Sequence, residues 1–305
     1  MSEPNTPRLS VVVPSVNGWS DLRDCLTALD RERRDVALEV LVVERCGPSV
    51  REAVSAEFPW ATLMPVSSHE TIPDMRRQAF RAARGDAVAV IEDHVIVPAG
   101  WAALMLAALR TENELARSVV GGSVENAATG NTIDWAAFLC EYSHCLPPLP
   151  AGEVAWLTGN NVVYPRALLQ EFADALGDGN WENVLHEELR KAGVRLVCRP
   201  DIAIGHKKHY SIAEYTSQRY LYARSYAGSR AKDAGLAKRA AYGAGAMLLP
   251  PVLFSRVVRR VIASGRHRPE LIRSLPLLSV FVTSWALGEV VGAWLGPADS
   301  LERVC

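Results

Sequence analysis

The sequence predicts an α/β protein, with a mostly parallel sheet flanked by helices and a hydrophobic helical appendage toward the C-terminus. Three observations carry this. Short apolar runs at Leu9–Pro14, Leu38–Val43 and Ala87–Ile91 alternate with stretches of helical periodicity, the pattern of parallel strands joined by right-handed helical crossovers. Each run ends in polar side chains, and ligands in open α/β sheets bind outside the carboxyl ends of the strands. From Ala240 the composition shifts to long apolar segments. The chain has 305 residues, 49% of them hydrophobic, which suits one ordinary domain with an appendage. A net charge of −1 gives no case for nucleic acid.

Leu9–Pro14 is a strand that exits through Ser15-Val16-Asn17-Gly18, and Ser20-Asp21 caps a helix to Asp30. Leu38–Val43 is the second strand and ends at Glu44-Arg45-Cys46-Gly47. A helix follows Pro48-Ser49, then a short strand at Ala61–Pro65. Pro73 opens a helix that closes at Arg84-Gly85, and Ala87–Ile91 runs straight into Glu92-Asp93-His94. Beyond Trp101 come a helix (Ala102–Thr111), a strand (Ser118–Val124) and an irregular stretch, 126–158, rich in aromatics and prolines. Irregular stretches of that length are usually functional. Pro165-Arg166 opens another helix, and Asp178-Gly179-Asn180 precedes Trp181-Glu182. Val184–Ala192 is a helix closed by Gly193. Val194–Cys198 is a strand, and Ile212–Lys232 is a long helix rich in Tyr and Arg.

The six cysteines, Cys25, Cys46, Cys140, Cys145, Cys198 and Cys305, are scattered and mostly lie in apolar runs, as buried free thiols do. Met1–Arg8 is polar and Leu9–Pro14 is too short for a signal peptide. The N-terminal part is therefore expected in the cytosol, with its thiols reduced. Cys140, His144 and Cys145 could form half of a zinc site, but a structural zinc needs four ligands and no second short-spaced pair is evident.

Met75–Trp101 is the most informative stretch. Three polar, metal-competent side chains, Glu92-Asp93-His94, stand at the tip of a buried strand. The segment resembles the core of the family 2 glycosyltransferases of GT-A fold, in which an ARNxGxxxAxG helix precedes a strand ending in Asp-x-Asp. Arg76 falls on the family arginine, Ala79 on its glycine, and Ala83 and Gly85 on the later small residues. Arg77 replaces the asparagine, and His94 replaces the final aspartate. The resemblance covers residues 9–210 and implies transfer of a sugar from a nucleotide-sugar donor to an acceptor hydroxyl.

Such a reaction needs a neutralised diphosphate leaving group, a held base and ribose, and a group that takes the acceptor proton. The resemblance implies a divalent cation, Mn²⁺ or Mg²⁺, held by Asp93, His94 and His206. The imidazole of His94 tilts the expectation toward Mn²⁺. It further implies a nucleotide-sugar site formed by Pro14, Ser15, Val16, Glu44, Arg76, Glu92 and Asp93. Counting back from Gly193 puts the family's catalytic acid on Glu182, with Glu187 and Glu188 as alternates, in a single inverting displacement. Gly159-Asn160-Asn161 resembles the turn beneath the acceptor, where glycine lets backbone approach a ligand. His206, Lys207, Lys208, His209 and Arg219 form a basic group that could meet phosphate.

The appendage reads on its own physics. Leu275–Leu295 is 21 residues long with one charge, Glu289, close to the roughly 20 needed to cross a bilayer. The earlier apolar segment, Ala244–Val261, is interrupted by Pro250-Pro251 and carries Arg256, Arg259 and Arg260 at its far end. Arg266, His267, Arg268 and Arg273 form a basic connector, which the positive-inside rule places in the cytosol. The expectation is a catalytic domain over 1–235 and a membrane-associating helical hairpin over 236–305. The hairpin would hold the enzyme on the anionic, cytoplasmic face of the cell membrane, where a lipid-linked acceptor fits. Two rivals are a nucleotidyltransferase on a similar sheet and a non-catalytic nucleotide-sugar-binding scaffold. The first usually has a Gly-rich basic loop after strand 1, and Ser15–Trp19 has no basic residue.

Overall fold

The computed structural model describes residues 7–177 and 180–304. Asp178 and Gly179, noted ahead of Trp181-Glu182, and Cys305 lie outside them. The order of elements begins β1 (Leu9–Ser15), α1 (Trp19–Glu32), β2 (Leu38–Glu44), α2 (Pro48–Glu57), β3 (Thr62–Pro65), α3 (Ile72–Ala82) and β4 (Ala87–Val90). It continues with β5 (Val95–Ile96), α4 (Trp101–Leu115), β6 (Ser118–Asn126), α5 (Thr132–Tyr142), β7 (Gly152–Glu153), β8 (Val162–Pro165), α6 (Arg166–Glu171), α7 (Glu182–Lys191) and β9 (Arg195–His206). Four helices close the chain: α8 (Ile212–Arg230), α9 (Leu236–Ala246), α10 (Leu249–Ser264) and α11 (Arg268–Leu295).

The strands form one sheet in the order β3-β2-β1-β4-β8-β6-β9-β5, with β7 on β9. The first four pair in parallel. Beyond β4 the pairings β4–β8, β6–β8, β5–β9 and β7–β9 are antiparallel, so the expected parallel sheet holds for its N-terminal half and is mixed beyond. Every residue of β1 and β4 is buried, as in parallel strands covered on both faces. The amphipathic α1 buries Leu22, Cys25, Leu26 and Leu29. Thr71 caps α3 by accepting from the Asp74 amide, and α3 buries Met75, Arg76, Ala79 and Phe80. A Cβ on Gly85 would lie 2.6 Å from the Ser10 amide nitrogen, so glycine is what lets the α3–β4 turn sit against β1.

Two expectations are corrected. Residues 126–158 are not irregular throughout, because they contain α5, capped by the Asn131 side chain. The strand expected to stop at Cys198 continues to His206 despite Pro200.

The chain divides into two compact units. One runs to Glu125 and resumes over Pro147–Lys207; the other comprises Asn126–Leu146 and the chain from Lys208 onward. In the second, α11 packs on α5, α8, α9 and α10, around a core of Ala136, Ala137, Tyr215 and Phe281. The first apolar segment is two helices, α9 and α10, bent by 50°, with prolines in the first turn of α10. By length and composition α11 could cross a membrane, but 44% of its most apolar window is buried inside the protein.

Candidate active site

The site forms where β1 and β4 end, β8 begins and β9 ends. Val90 at the end of β4 pairs with both Val12 and Val162. The loop Glu92–His94 therefore stands beside the β1 exit on one side and the turn 159–161 on the other. Pairing of Val95 with His206 brings the second histidine alongside the first.

Glu92, His94 and His206 each offer a ligand atom within 4.8 Å of the others, the only such group among the described residues. His94 Nε2 lies 2.9 Å from His206 Nε2 and 3.3 Å from Glu92 Oε2. Of the three ligands expected from the sequence, His94 and His206 meet, and Glu92 supplies the facing carboxylate. Asp93 turns the other way. Its Oδ2 accepts from the amides of Val16 (2.8 Å) and Asn17 (2.9 Å), and its Oδ1 accepts from Asn17 Nδ2 (2.7 Å). That oxygen also lies 3.1 Å from His94 Nδ1. A carboxylate on one ring nitrogen, with the other aimed at the cluster, is the arrangement that orients a metal-ligating histidine.

Burial alone would lower the pKa of His94, but the Asp93 and Glu92 carboxylates outweigh it and push it up to about 9. Burial would raise both carboxyls, yet His94 helps hold Glu92 and Asp93 below the usual carboxylate range, with Arg76 adding at Glu92 and Asn17 at Asp93. The donor set of two imidazoles and a carboxylate fits a divalent ion that tolerates nitrogen ligands better than one that demands oxygen.

Beside the cluster lies a buried ion pair, Arg76 with Glu182. Arg76 Nη2 is also 3.6 Å from Glu92 Oε1, so one guanidinium links the two carboxylates. A Cβ on Gly159 would come within 3.0 Å of Arg76 Nη1 and of Glu182 Oε2, so the turn lies directly on the pair. Asn160 donates to Glu92 Oε2 at 3.1 Å. Asn161 acts as an internal bolt: its Nδ2 donates to the Ser123 and Ile202 carbonyls and its Oδ1 accepts from Trp101 Nε1. Glu187 and Glu188 face outward and pair with Lys191.

On the nucleotide side, Pro14 and Ser15 are buried at the end of β1, and the Val16 amide is held by Asp93. Glu44 is fully buried. It accepts from the Gly47 amide at 2.7 Å and from Arg51 Nε at 2.5 Å, which places its charge at the N-terminus of α2, where negative charge is favoured. Members of the basic group have partners of their own. Lys207 pairs with Asp24, His209 with Asp134, and Arg219 lies 4.2 Å over the Trp285 ring. Among the described residues, Cys140 and Cys145 form no disulfide.

Sequence reasoning missed Asn17, whose backbone and side chain both hold Asp93, and the buried Tyr164–His186 hydrogen bond of 2.8 Å. An asparagine directly after a strand exit was the available signal for the first. Nothing in the spacing marks the second.

The profile of glycosyl transferase family 2 matches residues 10–170; the chain belongs to that family and is a glycosyltransferase. No curated protein matches the sequence. Among solved structures, it is similar to the mannosyltransferase PcManGT from Pyrobaculum calidifontis in complex with GDP-Man and Mn²⁺. The TM-score is 0.56 at 16% identity, over 95% of this chain and 88% of that one. It is also similar to S. aureus TarS 1–349, with TM-score 0.50 at 16% identity over 93% and 90% of the two chains. At this identity the likenesses show the GT-A fold.

Proposed function

We propose that this enzyme moves a sugar from a nucleotide-sugar donor to an acceptor hydroxyl in one inverting, metal-dependent displacement, with Glu182 as the base. The observation that carries the reading is the buried Arg76–Glu182 pair, set against Gly159 and linked through Glu92 to the two histidines. Glu92, His94 and His206 would hold the cation, Mn²⁺ in preference to Mg²⁺, which would neutralise charge on the leaving diphosphate. Asp93 positions His94 and shapes the β1 exit around the base and ribose. Arg76 fixes the orientation of the Glu182 carboxylate. As the acceptor oxygen bonds the anomeric carbon, its proton passes to Glu182, the bond from that carbon to the phosphate oxygen breaks, and the nucleoside diphosphate leaves. Gly159 and Asn160 would form the floor on the acceptor side.

We further propose that residues 1–235 carry catalysis and 236–305 associate with the anionic cytoplasmic face of the cell membrane, where the acceptor is lipid-linked. The arginine-rich, apolar composition of 244–295 supports this. The similar mannosyltransferase, seen with GDP-Man and Mn²⁺, makes that pair the first donor and cation to try.

The test is Glu182→Gln, which keeps the shape of the side chain and a partner for Arg76. Donor-to-acceptor transfer is expected to fall at least ~100-fold, the scale of general-base loss, with nucleotide-sugar binding retained. Full turnover in this variant would move the base elsewhere.

A further inference from the structure

We infer that the α10–α11 hairpin lies in the plane of an anionic lipid surface, one face down, and does not cross it. This deepens the membrane association proposed above and rests on it.

The outward face of α11 is a stripe. Ile272, Val280, Leu287 and Trp294 recur at helical spacing and are 66%, 45%, 57% and 46% exposed, whereas large apolar side chains are normally buried. Between Ser274 and Leu295 the only charged residue is Glu289. It is buried, accepting from Arg230 at 2.6 Å and from Trp285 Nε1 at 3.2 Å. The exposed hydroxyls on this face do not need water as acceptor. Ser279 donates to the Pro276 carbonyl (2.6 Å) and Thr283 to that of Ser279 (2.7 Å), the back-bonding that lets Ser and Thr sit in an apolar medium. The α9–α10 elbow adds Met247 and Leu248, 73% and 69% exposed.

Charge collects at the other end of the hairpin. The connector Gly265-Arg266-His267 folds α11 back onto α10, so Arg256, Arg259, Arg260, Arg268 and Arg273, all exposed, gather about that end. From Met247 to Gly288 the only acid is Glu270. An apolar face with arginines at one end matches an anionic headgroup layer, to which each basic residue adds attraction. A protein partner would need a run of acids that also offers apolar area; an anionic bilayer supplies both over its whole surface.

The inner face of α11 explains why it does not span. From Arg273 to Leu295 the helix is about 33 Å long at 1.5 Å per residue, enough to cross. Its small residues are already occupied by α8. A Cβ on Gly288 would lie 2.3 Å from the Tyr220 carbonyl oxygen, and one on Gly292 2.4 Å from that of Arg224. The same flank carries Arg219 over Trp285 and Arg230 on Glu289. A crossing α11 would carry these arginines into hydrocarbon, where charged side chains are rare and expensive. An in-plane α11 leaves them on the protein side.

The experiment is flotation of the purified full chain with phosphatidylcholine vesicles, with and without phosphatidylglycerol, followed by alkaline carbonate extraction. The protein is expected to float with the anionic vesicles, at least about tenfold more tightly than with neutral ones, and to be released by carbonate. Brominated lipid should quench tryptophan fluorescence, and Trp294→Phe should remove part of that quenching. Leu287→Glu with Arg259→Glu should stay folded by circular dichroism and lose flotation. Retention after carbonate would overturn the in-plane placement in favour of a span. Absence of flotation, or a lipid-free dimer that excludes vesicles, would overturn the lipid surface itself. A nucleotide-sugar thermal shift on the same preparation reads the sheet-edge site separately, so failure of the hairpin inference is distinguishable from failure of the catalytic one.

Discussion

Around the ends of β1, β2, β4 and β9, charged side chains are buried and engaged: Arg76 with Glu182 and Glu92, Asp93 with Asn17 and His94, Glu44 with Arg51. In the α10–α11 hairpin the order is inverted, with arginines exposed and large apolar side chains facing outward beside them. Burying paired charge is a weak way to stabilise a fold, because desolvation offsets most of the attraction. Such groups collect where chemistry uses them. Exposed apolar area beside exposed charge is equally uneconomic in water and collects where another phase is met. One chain thus shows two departures from ordinary packing, and the proposals assign them different partners: a charged small molecule at the sheet edge, and a lipid surface at the hairpin.

The comparison breaks most visibly at Arg76. Arg76→Met strands Glu182 in a buried site and is expected to cost about 3–5 kcal/mol in urea unfolding, with transfer activity lost. Adding Glu182→Leu should restore part of the stability and none of the activity. A single variant with unchanged stability would mean the pair is not buried as described. In the helical unit, Gly292→Leu forces a side chain against the Arg224 carbonyl and should cost ~1–3 kcal/mol by overpacking, while nucleotide-sugar binding persists. Loss of binding there would erase the division between the regions.

The most gradual effect is a pH slope. Burial pushes the His186 pKa down to about 4, so between that value and about 6.5 the unfolded chain binds the proton and the folded one does not. Its contribution to stability is present above about 6.5 and is lost as pH falls toward 4, at no more than about 1.4 kcal/mol per pH unit. Unfolding midpoints for the wild type and His186→Asn across that window check it: the variant should show the shallower slope.

The sequence made the N-terminal half of the sheet legible because buried parallel strands and amphipathic helices leave strong periodic signals. The strand-tip triplet, Arg76 and Glu182 were legible as candidate site residues, but the pairing of Arg76 with Glu182 was not. What stayed hidden depends on side-chain direction. Nothing in Glu92-Asp93-His94 says that Asp93 turns to the β1 loop while Glu92 faces the histidines; that follows from Asn17 standing at the β1 exit. Helix α5 was masked because seven of its eleven residues are buried, which removes the amphipathic contrast, and prolines crowd the chain just after it. The continuation of β9 was masked by Pro200, which reads as a strand break.

The central claim is that the histidine–carboxylate cluster and the Arg76–Glu182 pair form a metal-dependent nucleotide-sugar site. A thermal-shift panel tests it most directly, with UDP-, GDP-, dTDP- and CDP-linked sugars, each in Mn²⁺, Mg²⁺ or EDTA, on wild type and His94→Ala. Ligand bound to the native state raises the midpoint by mass action. The account predicts a rise with the sugars of one nucleotide, larger in Mn²⁺ than in Mg²⁺, absent in EDTA and absent in His94→Ala. No rise with any of them, or the same rise in EDTA and in the variant, would contradict it.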